Sequence, residues 1–120
     1  MKKILIVDDS STNVVLLEAI LNSRGYEIRT AMSVKEAYSM MAQETPALIL
    51  LDLLMPQVSG YQFLDRIKHD DKTKDIPVII VSAVTDALNI KKTLDRGAVD
   101  YIVKPVDIKE LINKVEKTLN

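Results

Sequence analysis

Five side chains in this 120-residue sequence could do chemistry together: Asp8, Asp9, Asp52, Ser82 and Lys104. Each follows a short aliphatic run, "KILIV" before Asp8, "ALILL" before Asp52, "PVIIV" before Ser82 and "DYIV" before Lys104. Three carboxylates in one crevice repel, since two unit charges about 5 Å apart at an effective dielectric near 20 cost roughly 3 kcal/mol. A cation would relieve this. The chain has no cysteine, and its single histidine, His69, lies in the charged stretch "KHDDKTKD", so the donors are oxygens. Such a set suits a hard divalent ion, magnesium or manganese, which keeps several waters and binds phosphate oxygens. An ammonium and a hydroxyl beside it suit a phosphoryl group, whose charge is spread over peripheral oxygens during transfer. A carboxylate can then be the nucleophile and form an aspartyl phosphate.

Taken singly, each residue has a plainer role. Asp9 suits the cap of a helix starting near Ser11, because short polar side chains accept from the first free amides. Asp52 is a poor cap, since Met55 and Pro56 intervene before a helix that begins near Ser59. Ser82 could satisfy a loop amide, and Lys104 could be a solvated surface charge. Their shared position after aliphatic runs is what joins them.

The elements that must position them follow from periodicity. "KILIV" (3–7), "YEIRT" (26–30), "ALILL" (47–51), "PVIIV" (77–81) and "DYIV" (100–103) read as strands. Between and after them, apolar residues recur at helical spacing: Val14, Leu17 and Leu21; Val34, Ala37, Tyr38 and Met41; Gly60, Phe63, Leu64 and Ile67; Ala87, Ile90 and Leu94; Ile108, Leu111, Ile112, Val115 and Leu119. Gly25 and Gly97 are placed to end the first and fourth helices, because glycine takes the left-handed C-terminal conformation without strain. Strict alternation of strand and helix predicts a parallel sheet with helices on both faces. Three strands are apolar throughout and belong in its middle, whereas in "YEIRT" Tyr26 and Ile28 alternate with Glu27 and Arg29, as on a half-exposed edge. The carboxyl ends of parallel strands share one edge, where ligands bind at the point of strand-order reversal.

Composition narrows the function. The chain suits one domain, 1–120, with 48% hydrophobic residues and 16 basic against 17 acidic side chains, which argues against a polyanion-binding surface and direct nucleic-acid contact. No stretch is long enough to span a bilayer, and the run after "MKK" is too short for a signal peptide, so a cytoplasmic protein is expected. The start reads as a natural N-terminus; the end at Asn120 fits either a stand-alone unit or a domain cut from a longer chain. Three glycines, dispersed among turns and helix ends, leave no glycine-rich phosphate loop for ATP.

The motifs "VDDS", "DLLMP" with Gly60, "VSA" and "YIVKP", in this order across nearly the whole chain, resemble those of the receiver domains of two-component response regulators. The resemblance implies a flavodoxin-like (βα)5 three-layer sandwich with strand order 2-1-3-4-5. It makes Asp52 the phosphoacceptor, supplied by a sensor histidine kinase, a histidine phosphotransfer protein or a small phosphodonor. Asp9 and Asp52 would bind magnesium directly, Asp8 chiefly through water and Leu54 through its backbone carbonyl. Lys104 would pair with the phosphoryl group, with a cis bond to Pro105. Ser82 would move to a phosphoryl oxygen while Tyr101 swings from exposed to buried, altering the face of the fourth helix, fifth strand and fifth helix for a downstream effector protein or a phosphorylation-dependent dimer. Lys91, Lys92, Arg96 and Lys109 on that face are interspersed with Asp86, Asp95 and Asp107, which favours a solvated surface over a basic docking site. Leu54 and Val84 occupy the positions that tune phosphoryl lifetime in the family, and neither can orient an attacking water. Such a domain catalyses only its own phosphorylation and dephosphorylation.

Three other functions fit the residues less well. A haloacid dehalogenase-type phosphatase requires a second acid two residues after its nucleophile, where this chain has Ser10 after Asp8 and Leu54 after Asp52. A flavin module needs amide and hydroxyl donors without adjacent carboxylates at the first strand end. A receiver-like interaction module that takes no phosphate is opposed by the presence of Asp9, Asp52, Ser82 and Lys104.

Overall fold

A computed structural model describes residues 2–55 and 59–120. Its elements alternate as β1 (Lys3–Val7), α1 (Ser11–Asn22), β2 (Glu27–Ala31), α2 (Val34–Gln43), β3 (Leu48–Leu51), α3 (Gly60–His69), β4 (Val78–Ser82), α4 (Ala87–Asp95), β5 (Asp100–Val103) and α5 (Ile108–Leu119). The strands form one parallel sheet in the order β2-β1-β3-β4-β5. No described helix is long and apolar enough to cross a membrane.

Period-2 alternation divides the strand residues between two cores. Leu5, Val7, Ile49, Leu51, Val78, Ile80 and Tyr101 face α2, α3 and the inner side of α4, where Phe63, Leu64 and Ile67 fill the layer. Ile4, Ile6, Leu48, Leu50, Ile79, Val81 and Ile102 face Val14, Leu17 and Leu21 of α1 and Leu111, Val115 and Leu119 of α5. All four residues of β3 are buried. Fully burying a leucine contributes about 1.5–3 kcal/mol, so this strand can anchor a charge at its end against repulsion of similar size.

Three strands depart by a residue from expectation: β2 runs from Glu27 to Ala31, because its five residues pair in register with Lys3–Val7 of β1, β3 begins at Leu48 rather than Ala47, and β4 runs from Val78 to Ser82, so that Ser82 is the last residue of the strand rather than the first after it. The inward face of α4 is Ile90 and Thr93; Ala87 and Leu94, expected to share that face, are exposed, while the buried Thr93 satisfies its hydroxyl on the Ile90 carbonyl at 2.8 Å. Tyr38 of α2, which touches the core through an edge-on contact with Phe63, and Ile108, the first residue of α5, are also exposed. Ser10 caps α1, its side chain accepting from the Asn13 amide, so the plainer role considered for Asp9 is filled by its neighbour and Asp9 faces solvent.

Candidate functional site

The strand order reverses between β1 and β3, and the carboxylates lie at that reversal. The hydrogen-bond ladder runs on past the strands into the site: the Asp8 amide donates to Ala31 O (3.1 Å), Asp52 to Val7 O (3.0 Å) and Lys104 to Ser82 O (2.9 Å). The backbones of these site residues are therefore held by neighbouring strands.

Beyond the ladder, three strand ends make the same local turn. Asp8 Oδ1 accepts from the Ser10 amide (2.9 Å), Asp52 Oδ1 from the Leu54 amide (3.2 Å) and Ser82 Oγ from the Val84 amide (3.3 Å). Each is a side chain closing on the backbone two residues ahead, a habit of aspartate and serine. The residue types alone signal it. Each acid thus spends one oxygen on its own loop and presents the other to the crevice.

Lys104 takes those other oxygens. Its Nζ lies 3.0 Å from Asp8 Oδ2 and 3.3 Å from Asp52 Oδ2. Asp8 and Asp52 are only 2% and 6% exposed, whereas Asp9 is exposed. Burial is the main reason the Asp52 carboxyl is held above its usual range; Asp8 adds to this, and the Leu54 amide and Lys104 oppose it. For Lys104, burial pulls the ammonium down, but the hydrogen bond and charge of Asp8, then Asp52, outweigh it and leave the group above its ordinary value. The lysine is thus kept charged between two acids.

Asp8, Asp9 and Asp52 each offer an oxygen within 4.8 Å of the others. Octahedral magnesium, with ligands about 2.1 Å away, needs donor oxygens roughly 3.0 Å apart when adjacent and 4.2 Å when opposite. The triad therefore fits such an ion after a small closure, or with one contact through water. For Leu54, it is the amide that contacts Asp52.

Gly60 explains how α3 comes so close to the acid. Its amide donates to Leu53 O at 3.0 Å, and a Cβ there would lie 2.5 Å from Asp52 O and 2.6 Å from the Leu53 Cα. Only glycine permits this approach. In the sequence Gly60 was legible as part of a motif, but its steric reason was not.

Ser82 is wholly buried at the end of β4. Tyr101 is 6% exposed, packed into the core, and its hydroxyl donates to Val84 O at 2.7 Å, so the structure shows the inward position of this ring. Burial, chiefly, raises its phenol above the ordinary value, while the Ser82 hydroxyl beside it pulls the other way. The Lys104–Pro105 bond is cis. Pro56, the last residue of the "DLLMP" motif, lies outside the described residues. His69 is exposed, with Nδ1 2.6 Å from Asp65 O, away from the site.

Comparisons with known proteins agree with this geometry. The response regulator receiver domain family matches residues 4–116. The response regulator PleD of Caulobacter vibrioides is 40% identical over 105 residues, which are 88% of this chain and 23% of PleD. The DNA-binding dual master transcriptional regulator RpaA of Synechocystis is 34% identical over 119 residues, 99% of this chain and 49% of that protein. The chain therefore spans half or less of these relatives. Among solved structures, the chemotaxis protein CheY4 of Vibrio cholerae superposes with a TM-score of 0.92 at 26% identity, covering 99% of both chains. The receiver domain of a signal transduction histidine kinase from Syntrophus aciditrophicus gives 0.90 at 33% identity, covering 99% of this chain and 90% of that one. With the family's match running from β1 into α5 and the acidic cluster standing at its strand ends, this chain belongs to the response regulator receiver domains of two-component systems.

Proposed function

We propose that the chain accepts a phosphoryl group on Asp52 from a phosphohistidine of a sensor kinase or phosphotransfer protein, in a magnesium-dependent reaction, and passes the change to an effector protein. Receiver domains are signalling units that interact with histidine kinases and effector domains, rather than enzymes in the ordinary sense. The observation that carries the finer reading is the convergence of Asp8, Asp9, Asp52 and Lys104 on one crevice.

In the step itself, an Asp52 carboxylate oxygen forms a bond to phosphorus while the phosphorus–nitrogen bond of the donor breaks; the bonding pair stays on that nitrogen, and the donor, protonated on its other ring nitrogen, leaves as neutral imidazole. The ladder and the Leu54 amide hold Asp52 in place, so little orientation remains to be lost on reaction. Magnesium, when bound by Asp9 and Asp52, with Asp8 through water and the Leu54 carbonyl, supplies charge for the phosphoryl oxygens. Lys104 Nζ would leave its carboxylates for a phosphoryl oxygen, and the Ser82 hydroxyl, which now accepts from the Val84 amide, would move to donate to another. Since the Val84 carbonyl also holds Tyr101, such a move would reach the face of α4, β5 and α5 and shift its populations. A cytoplasmic site of action and a phosphorylation-dependent dimer belong to the same reading.

The test is intact-mass measurement after incubation with magnesium and acetyl phosphate. The parent should gain one phosphoryl group and Asp52→Asn none, with labelling abolished by a chelator. Labelling that survives in Asp52→Asn, or none in the parent, refutes the proposal; the latter would indicate an interaction module.

A further inference from the structure

The strand order leaves β2 and β5 as the edges of the sheet, and the two edges are finished differently. On β5, Lys104 N donates to Ser82 O, so by alternation the N–H and C=O of Tyr101 point away from β4 toward the open side. Both are occupied. The amide donates to Asp100 Oδ1 (2.8 Å) and the carbonyl accepts from Lys114 Nζ (2.7 Å), while Lys114 also pairs with Asp100 (3.3 Å) and Glu110 (3.2 Å). A strand approaching this edge would have to displace an ion pair.

The β2 edge is left open. Glu27 N donates to Lys2 O and Ala31 O accepts from Asp8 N, so Glu27, Arg29 and Ala31 turn their backbone groups to β1, and Ile28 and Thr30 turn theirs outward. Among the described residues, the one side-chain bond to these outward groups comes from Arg29, whose Nη1 reaches Ile28 O at a long 3.4 Å. The side chains of Glu27 and Arg29, 36% and 45% exposed, pair with each other at 2.9 Å along the same edge.

We propose that the β2 edge is a pairing surface for a second copy of this chain, with the two β2 strands antiparallel about a two-fold axis at Ile28. The charges choose this register. With Ile28 and its copy as a hydrogen-bonded pair, Glu27 of each chain stands directly opposite Arg29 of the other, in the non-hydrogen-bonded positions where side chains are closest. A register centred on Glu27 or Arg29 would set like charges face to face, and one centred on Thr30 would leave Glu27 beyond the end of the opposite strand. Each copy uses its β2 edge once, so the assembly closes as a dimer.

Sedimentation equilibrium on the whole chain, from about 10 μM to about 1 mM and without magnesium or phosphodonor, tests this independently of the function proposed above. The parent should associate to a dimer and no further. Glu27→Arg and Arg29→Glu each place like charges opposite one another at both positions, and each should dimerise roughly ten- to a hundredfold more weakly. An equimolar mixture of the two variants should regain the parental association, because an acid again faces a base at each position. Thr30→Pro removes an outward amide and no bond to β1, and should be monomeric over the whole range. In the parent, amide exchange followed by NMR should slow with concentration at Ile28 and Thr30 and stay constant at Tyr101, whose amide is already bonded within the chain. A parent that stays monomeric, or single variants or Thr30→Pro that associate as the parent does, overturns the proposal. A mixture no stronger than its components overturns it as well.

Discussion

Replacing Gly60 by alanine places a methyl 2.5 Å from the Asp52 carbonyl oxygen, 2.6 Å from the Leu53 Cα and 3.2 Å from the Asp52 carbonyl carbon. Ordinary contacts of this kind need about 3.5 Å, so α3 must retreat by roughly an ångström. The obstructing atoms cannot swing aside, because they are backbone and the Asp52 amide is bonded to Val7. Retreat also loosens Phe63, Leu64 and Ile67, the fully buried residues of this helix. Overpacking of this kind costs about 1–3 kcal/mol. Alanine's better helix propensity returns about 0.5–1 kcal/mol, and the expected net loss is about 1–2 kcal/mol. With a urea slope of about 1–3 kcal/mol per molar, the unfolding midpoint should fall by roughly 0.5–1 M. Because the clash bears on Asp52 itself, acetyl phosphate labelling should also slow by roughly ten- to a hundredfold, the usual effect of a misplacement near 1 Å. Gly25→Ala is the control: Gly25 has φ +90° but nothing within 4 Å of a Cβ, so it should lose about 1 kcal/mol through backbone conformation and label at the parental rate. A Gly60→Ala protein with an unchanged midpoint and unchanged labelling refutes the argument that close approach positions the acid.

Lys104→Met removes the cation between two buried carboxylates and should cost about 2–4 kcal/mol in chelator, toward the range for breaking a buried pair; urea melts should show magnesium restoring part of it, and an unchanged midpoint in chelator contradicts the assignment. Leu54→Asn and Val84→Glu introduce groups that can hold a water beside the phosphoryl group, so each should shorten the lifetime of the adduct, measured by its decay after donor removal; equal lifetimes refute the tuning role. Tyr101 has a raised phenol, so the stability it confers is complete below the unfolded value near 10 and is lost as pH rises through the higher folded value. Tyr101→Phe should remove that part of the alkaline slope and, by freeing the Val84 carbonyl, cost about 1 kcal/mol at neutral pH; identical slopes in parent and variant contradict it.

Most of the fold was legible because it rests on local pattern. In "ALILL", read as a buried strand, the four residues Leu48–Leu51 form one and are all buried, and Ile28 turned inward on an edge strand with Arg29 outward, as alternation required. Gly25 and Gly97 ended their helices because the left-handed conformation is theirs. The misreadings have a common cause. Leu94 has the right spacing for an inward stripe, but α4 meets the sheet through Ile90 and Thr93, and spacing does not report which residue a neighbouring layer covers. Ser10 caps α1 because the end of β1 directs its side chain toward the free amides, which leaves Asp9 to stand with Asp8 and Asp52.

By itself the sequence determined the periods, the turn chemistry and the set of polar residues at strand ends, since these depend on neighbours a few positions apart. The strand order came from resemblance alone until the sheet was seen. Tertiary structure decided that Lys104 joins Asp8 and Asp52, which are 96 and 52 positions away in the chain, and that Gly60 lies against Asp52. It also decided that Arg96 reaches Tyr61 and Asp65 of α3. Contacts of this kind carry no local signature, because nothing in a lysine or a glycine specifies its distant partner. The packing of helices on a twisted sheet selects it.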